Sequence, residues 1–286
     1  MLPDLLSASL RGLSFVAMAQ AAGAMLFLAA FSATLDSSRR HIENMAWLAT
    51  VAALILLPVQ FSLEAARMTG GLSGLFDADL QRFALSTPGA RVLALRIIGL
   101  LLVLAGIKNS FRAAMPIGVA GVLMVAASFA LTGHTASHAE RWLLGPLVAL
   151  HVLIVSIWFG SLRPLVQIVQ SETHSLAAQV VRKYSRIAGV LVPIILLAGL
   201  VIAARLLPDA RSLWTVYGSI LIGKVLAFAV LMALAVLNKR KLGPAIATEG
   251  GPARRTFQAA VMAEWGIIVV VLFATAFLTT FWSPRA

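Results

Sequence analysis

The residues best suited to chemistry in this chain are histidines, and three of its five fall in one stretch. The segment LTGHTASHAERWLLGPLVALH, residues 131–151, carries His134, His138 and His151. Imidazole nitrogens ligate copper, zinc, nickel and haem iron. His134 and His138 are four apart, so a helical segment would place both rings on one face and let them converge on one ion. His151 lies about eight residues into the apolar run that follows, roughly 12 Å below its outer end at 1.5 Å per residue. Two imidazoles at a mouth and one beneath it suit capture followed by descent. The alternative is that the loop histidines are solvated and His151 bonds a nearby carbonyl or hydroxyl. Polar side chains at membrane depth more often mark pathways or cofactors.

Other polar groups interrupt the apolar runs. Lys224 sits in GSILIGKVLAFAV and Glu264 in VMAEWGII. An ammonium there is costly unless neutralised, paired or wet. Glu264 is the expected partner, offset by about 10 Å along the membrane normal, part of which a lysine can bridge by snorkelling. The pair is either structural or a charge that regulates a cation path. Glu64 lies one turn after Gln60 with Arg67 beyond it. It is read as an interfacial acid paired with Arg67, or as a group lining the mouth. Arg96 can snorkel or pair with Glu64. Asp77 and Asp79 are loop acids, solvated or cation-attracting. Met18 and Met25, seven apart, share a helix face. Thioethers suit Cu(I), but methionine also fills irregular gaps. Met68 could join a site at the mouth.

These groups need a membrane scaffold. Of 286 residues, 60% are hydrophobic and 12% charged, and mean hydropathy is +0.94. A soluble domain carries about twice that charge. The absence of cysteine excludes disulfides, thiolate metal sites and cysteine nucleophiles. The chain is expected to be all-α: a polytopic membrane protein forming one domain over residues 1–286. Eight apolar runs long enough to cross about 30 Å of hydrocarbon lie near 11–34, 45–66, 90–107, 114–132, 143–169, 184–206, 214–238 and 259–282. They are apolar all round and lack strand alternation, so helices are expected rather than a barrel. In MLPDLLSASLRGLSF an acid precedes the only base, which makes a poor leader and points to a retained first helix. Pro58, Pro146, Pro164 and Pro193 fall in or at the ends of spans, where each can loosen the helix locally.

The formal charge of +12 is read as topology rather than nucleic-acid binding, because the bases cluster between apolar runs. Eight spans place both termini on one side. Bases near span ends on that side are fewer than on the other. The second side holds Arg182, Lys183, Arg186, Lys239, Arg240, Lys241, Arg254 and Arg255 among others. Both termini and the GHTASH loop are therefore expected in the periplasm, with His41 and His174 facing the cytoplasm.

HVLIVSIWFGSLRPL, residues 151–165, resembles the signature of the CopD family. KYSRIAGVLVPIILLAGLVIAARLL and LWTVYGSILIGKVLAFAVLMALAVLNKRKLGP resemble later spans of that family, and LTGH before the fifth span fits as well. The likeness covers roughly 131–244; the first four spans correspond in number and length. It implies a bacterial inner-membrane protein of about eight spans that takes copper, Cu(I) or Cu(II), at its periplasmic face. It also implies a separate periplasmic CopC-like carrier as partner, beside the lipid bilayer. His134, His138 and His151 are the ligands the resemblance suggests. Trp158, Gly160, Tyr217, Lys224 and Asn238 match family positions whose roles chemistry alone does not assign.

Copper import is the first functional expectation. The chain lacks GxxxxGK[ST] and DKTGT, so it is not expected to pump with ATP. The membrane potential would supply about 2.3 kcal/mol per charge per 100 mV. A b-type cytochrome is a second expectation, disfavoured because only His151 lies clearly within a span and bis-histidine haem needs facing ligands. A third is a factor delivering copper to a cuproenzyme. Below His151 the fifth span offers only Ser156 before Trp158, a gap that weakens import unless other spans fill it. No nucleophile, base and orienting acid form a recognisable set, so no enzyme is expected.

Overall fold

The computed structural model describes residues 2–35, 37–108, 114–207, 210–248 and 251–282. Apolar runs in lipid must satisfy their backbone polar groups internally, and helices do this within one segment. Eight long helices result: α1 (Leu2–Phe31), α2 (Arg39–Thr69), α4 (Pro88–Lys108), α5 (Ala114–Ser128), α7 (Arg141–Ser171), α8 (His174–Leu206), α9 (Val216–Leu237) and α11 (Gly251–Phe281). With their terminal turns, all eight are long and apolar enough to span a membrane. Short helices α3 (Ala78–Ser86), α6 (Gly133–Ser137) and α10 (Gly243–Thr248) join them, and the described residues contain no strand.

Several helices overrun the expected spans on one side. α8 starts at His174 rather than near 184, and α11 at Gly251 rather than near 259. α2 starts at Arg39 rather than near 45. At 1.5 Å per residue, a helix of 31 residues is about 46 Å long, well beyond the hydrocarbon core. The excess turns carry the basic residues Arg39, Arg40, Arg182, Lys183, Arg254 and Arg255. Hydropathy marks the lipid-facing length, while backbone hydrogen bonding carries the helix on into the polar layer. The continuation of α9 widens into a π-turn over Asn238–Leu242 before α10.

Helix ends follow local chemistry. The Asp77 carboxylate accepts from the backbone N–H groups of Asp79 and Leu80, both at 3.0 Å, and so caps α3. This gives Asp77 a structural task. α2 ends at Gly70 in the left-handed region at φ 70°, where a Cβ would be unfavourable. Pro58, Pro146, Pro164 and Pro193 all lie inside helices that continue through them.

α1 is the central element, with 67% of its most apolar stretch buried. It packs on α2, α5, α7 and α11. Its crossing with α7 is tight at Gly23 and Gly160. A Cβ added at Gly160 would lie 2.5 Å from the Gly23 Cα and 2.7 Å from the Ala19 carbonyl oxygen. α4 and α5 cross in the same manner at Gly106 and Gly118. Arg11 at the start of α1 donates to the Thr279 carbonyl near the end of α11 at 3.3 Å, so those two ends share one side. α8 and α9 lie at the periphery, with only 11% and 6% of their apolar stretches buried. Their outward residues, such as Val190, Leu197, Leu226 and Val230, form a surface suited to lipid.

Candidate functional site

α7 has two opposed faces. At 100° per residue, His151, Ile154 and Trp158 share one face, while Ser156 and Gly160 lie on the other. Gly160 meets α1. His151 meets α8: its Cε1 lies 3.4 Å from where a Cβ on Gly199 would stand. Nδ1 of His151 is buried beside the Ile195 backbone without a well-formed hydrogen bond. Among the described residues this nitrogen has no hydrogen-bond partner of standard geometry. The Ile195 backbone is the neighbouring group that the simple structural reading calls for, and its approach to the ring falls short of full hydrogen-bond geometry. Lys224 of α9 is within electrostatic range of the ring. By rise per residue, His151 lies about 15 Å from the start of α7 and Lys224 about 12 Å from the start of α9, which puts them in one layer.

A second polar layer lies deeper. Trp158 Nε1 donates to Glu264 Oε2 at 3.4 Å, and Asn238 Nδ2 donates to Glu264 Oε1 at 2.6 Å. Tyr184 OH donates to the Trp158 carbonyl at 3.3 Å. Glu264, Trp158, Tyr184 and Asn238 are all buried, and Asn238 Oδ1 has no hydrogen-bond partner among the described residues. Four helices supply these groups: α7, α8, α11 and the π-turn after α9. Below His151, the polar groups at this level are Trp158 on the same face of α7 and side chains from its neighbours.

The expected Lys224–Glu264 pair does not form. Glu264 is held by Asn238 and Trp158, and no ion pair joins it to a base among the described residues. Glu264 lies about 25 Å from the end of α11, roughly 13 Å deeper than Lys224, beyond what a lysine spans.

The His134–His138 pair rested on continued helix. α6 ends at Ser137, and His138 leaves it in extended conformation at φ −72°, ψ 148°. Its Nδ1 accepts from the Glu140 backbone N–H at 3.1 Å, which holds the ring toward α7. The side chain of His134 lies outside the described residues. Among the described residues no three histidine or acidic side chains form a metal-ligating group.

The remaining candidates scatter. Glu64 receives Arg11 at 3.4 Å and Arg67 at 3.1 Å, and Arg67 also reaches Asp4 at 3.1 Å. Arg96 donates to Ser128 Oγ at 3.0 Å and stacks over Phe129, apart from Glu64. Asp79 pairs with Arg82 at an exposed site. Met18 packs with Leu57 and Leu100 in one core cluster, while Met25 fills a separate one against Gly118. Met68 is exposed near the end of α2.

Gln20, Glu172 and Tyr184 are buried polar residues that the sequence pattern does not single out. Gln20 in AMAQAAGAM donates to the Gly160 carbonyl at 3.0 Å and accepts from Trp265 Nε1 at 3.2 Å. Glu172 accepts from both the N–H and hydroxyl of Ser38, at 2.8 and 2.6 Å. Tyr184, in KYSRIAGV, is buried against the Trp158 carbonyl. An isolated polar residue in an apolar run is the signal that Gln20 carries; Glu172, at a helix boundary, carries none.

Comparison with known proteins bears on what this arrangement serves. A family model described as "Copper resistance protein D-like, N-terminal domain" matches residues 1–145. A second, "Copper resistance protein D", matches residues 178–278. Residues 146–177, which include His151 and Trp158, lie between the two matches. The chain is 29% identical over 253 residues to the "Copper transport protein CutJ" of Bacillus subtilis (strain 168), covering 82% of this chain and 44% of that protein. It is 25% identical over 135 residues to the "Inner membrane protein YebZ" of Escherichia coli (strain K12), covering 46% of this chain and 47% of that protein. The chain thus spans less than half the length of these curated relatives. No solved structure matches it.

Proposed function

The chain belongs to the copper resistance protein D family, and from that premise we propose that it carries copper across the bacterial inner membrane toward the cytoplasm. The observation that carries the reading is the His151 imidazole: its Nδ1 is buried inside the bundle and, among the described residues, is not committed to any well-formed hydrogen bond. Such a ring is a ready ligand for Cu(I) or Cu(II). His134 and His138, at the head of α7, act as the capturing pair on the periplasmic side, where both termini lie. The ion then passes to His151, and the potential draws it inward at about 2.3 kcal/mol per charge per 100 mV. Lys224, in the same layer, opposes a resting cation and so keeps the His151 stop shallow. A separate CopC-like carrier supplies the ion. The copper-transport name of the Bacillus relative and the inner-membrane name of the Escherichia relative support the cargo and the location.

Cellular copper measured by inductively coupled plasma mass spectrometry tests this. At matched membrane levels, wild type raises cytoplasmic copper. His151→Ala abolishes the rise, and so does joint replacement of His134 and His138 by alanine. Copper that does not respond to expression of the wild type rules out import. In that case an optical spectrum of the purified protein decides between haem, by a Soret band, and copper delivery to a cuproenzyme.

A further inference from the structure

We propose that Glu264, held by Asn238 and Trp158, is a proton-binding site whose occupancy is coupled to a cation at His151. Glu264 is 3% exposed, and its described hydrogen bonds come from two neutral donors. A carboxylate in a bilayer interior is costly unless a cation or a proton accompanies it. No base pairs with it among the described residues. Asn238 provides the second observation. It is 8% exposed, gives its Nδ2 to Glu264, and leaves its Oδ1 buried without a partner. As oriented, the amide suits ionised Glu264. Turned over, it presents Oδ1 to accept the O–H of protonated Glu264. One half-turn of the amide thus serves both protonation states.

The donor set selects the proton over copper itself. Carboxylate, amide and phenol oxygens are poor partners for Cu(I), and the cluster contains no imidazole or thioether. Two or three oxygens are also too few for a hard divalent cation.

The groups facing Glu264 set the sign of the coupling. α7 presents Trp158, α8 presents Tyr184, and α9 with its π-turn presents Asn238, with Lys224 one layer above. α1 reaches α11 through Gln20 and Trp265, over whose ring Arg163 stacks. None of these forms an ion pair with Glu264 among the described residues, so an arriving cation is the main new charge. Trp158 is seven residues beyond His151, about 10 Å along α7. A unit positive charge about 10 Å away, at an effective dielectric near 20, weakens proton binding roughly tenfold. A cation at His151 therefore releases the Glu264 proton to water, leaving the carboxylate. When the cation moves on, a proton from water returns.

The coupling, though not the proton site, rests on the copper reading. Infrared difference spectroscopy on the full-length protein in lipid separates the two. Wild type is expected to show a protonated-carboxyl C=O band that titrates with pH, is absent in Glu264→Gln, and diminishes when copper is added. Trp158→Phe removes one donor and shifts the band without abolishing it, which a packing role alone would not do. If wild type lacks the band at every pH, the proton site is overturned, whatever cellular copper does. If the band titrates but ignores bound copper, the coupling is overturned. If the purified protein binds no copper while the band titrates, the copper reading fails and the coupling with it, and the proton site stands.

Discussion

The α1-centred half and the α8–α9 half of this bundle are built on different rules. Around α1, glycine lets backbones meet, and the large side chains Met18, Met25 and Phe27 are nearly inaccessible. Around α8 and α9 little of the apolar surface is buried, and α9 leans mainly on α11. α7 is the party wall. Its Gly160 face belongs to the first half and its His151–Trp158 face to the second. Of the buried side-chain atoms without a partner among the described residues, the α1 side holds the small hydroxyls of Ser7 and Ser14, while the second side holds His151 Nδ1 and Asn238 Oδ1. A rigid half thus anchors the wall, and the looser half leaves space for polar groups whose partners change.

Adding one methyl group to each side sharpens the contrast. Gly160→Ala drives a Cβ to 2.5 Å from the Gly23 Cα. It is expected to cost about 3 kcal/mol, at the upper end for overpacking, read as a fall in the midpoint of thermal unfolding in detergent. A neutral result would break the comparison at its foundation. Met18→Leu, a swap that conserves volume in the packed half, should cost under about 1.5 kcal/mol and leave copper accumulation unchanged. A loss of accumulation would return Met18 to the pathway. Gly199→Ala, on the loose side, meets His151 at an ordinary 3.4 Å. Helix propensity favours alanine over glycine by up to about 1 kcal/mol, so stability should hold or rise slightly. The same methyl restricts the His151 ring, so copper accumulation should fall while the protein stays folded.

The sequence made the eight spans legible because twenty apolar residues have few other uses in a chain this poor in charge. It did not make the helix ends legible, since hydropathy falls at Arg182 and Arg254 while the backbone ladder does not. His151 stood out as a lone imidazole within a span. The setting of its Nδ1 could not be read, because it depends on what α8 presents at Ile195 and Gly199. Pairing Lys224 with Glu264 followed from charge alone. The partners Glu264 has, Asn238 and Trp158, are neutral and come from other helices, so charge arithmetic passed them by. The helical premise for His134 and His138 gave way at Ser137, where a left-handed Gly133 (φ 73°) opens a helix only five residues long.

The glycine crossing of α1 and α7 has an electrical consequence. Where a methyl group has no room between Gly23 and Gly160, a water molecule has none either. The crossing is therefore closed to a file of water at that point. A proton wire past this level would have to run around the crossing, and the opposite face of α7, which bears His151 and Trp158, is one that the contact leaves free.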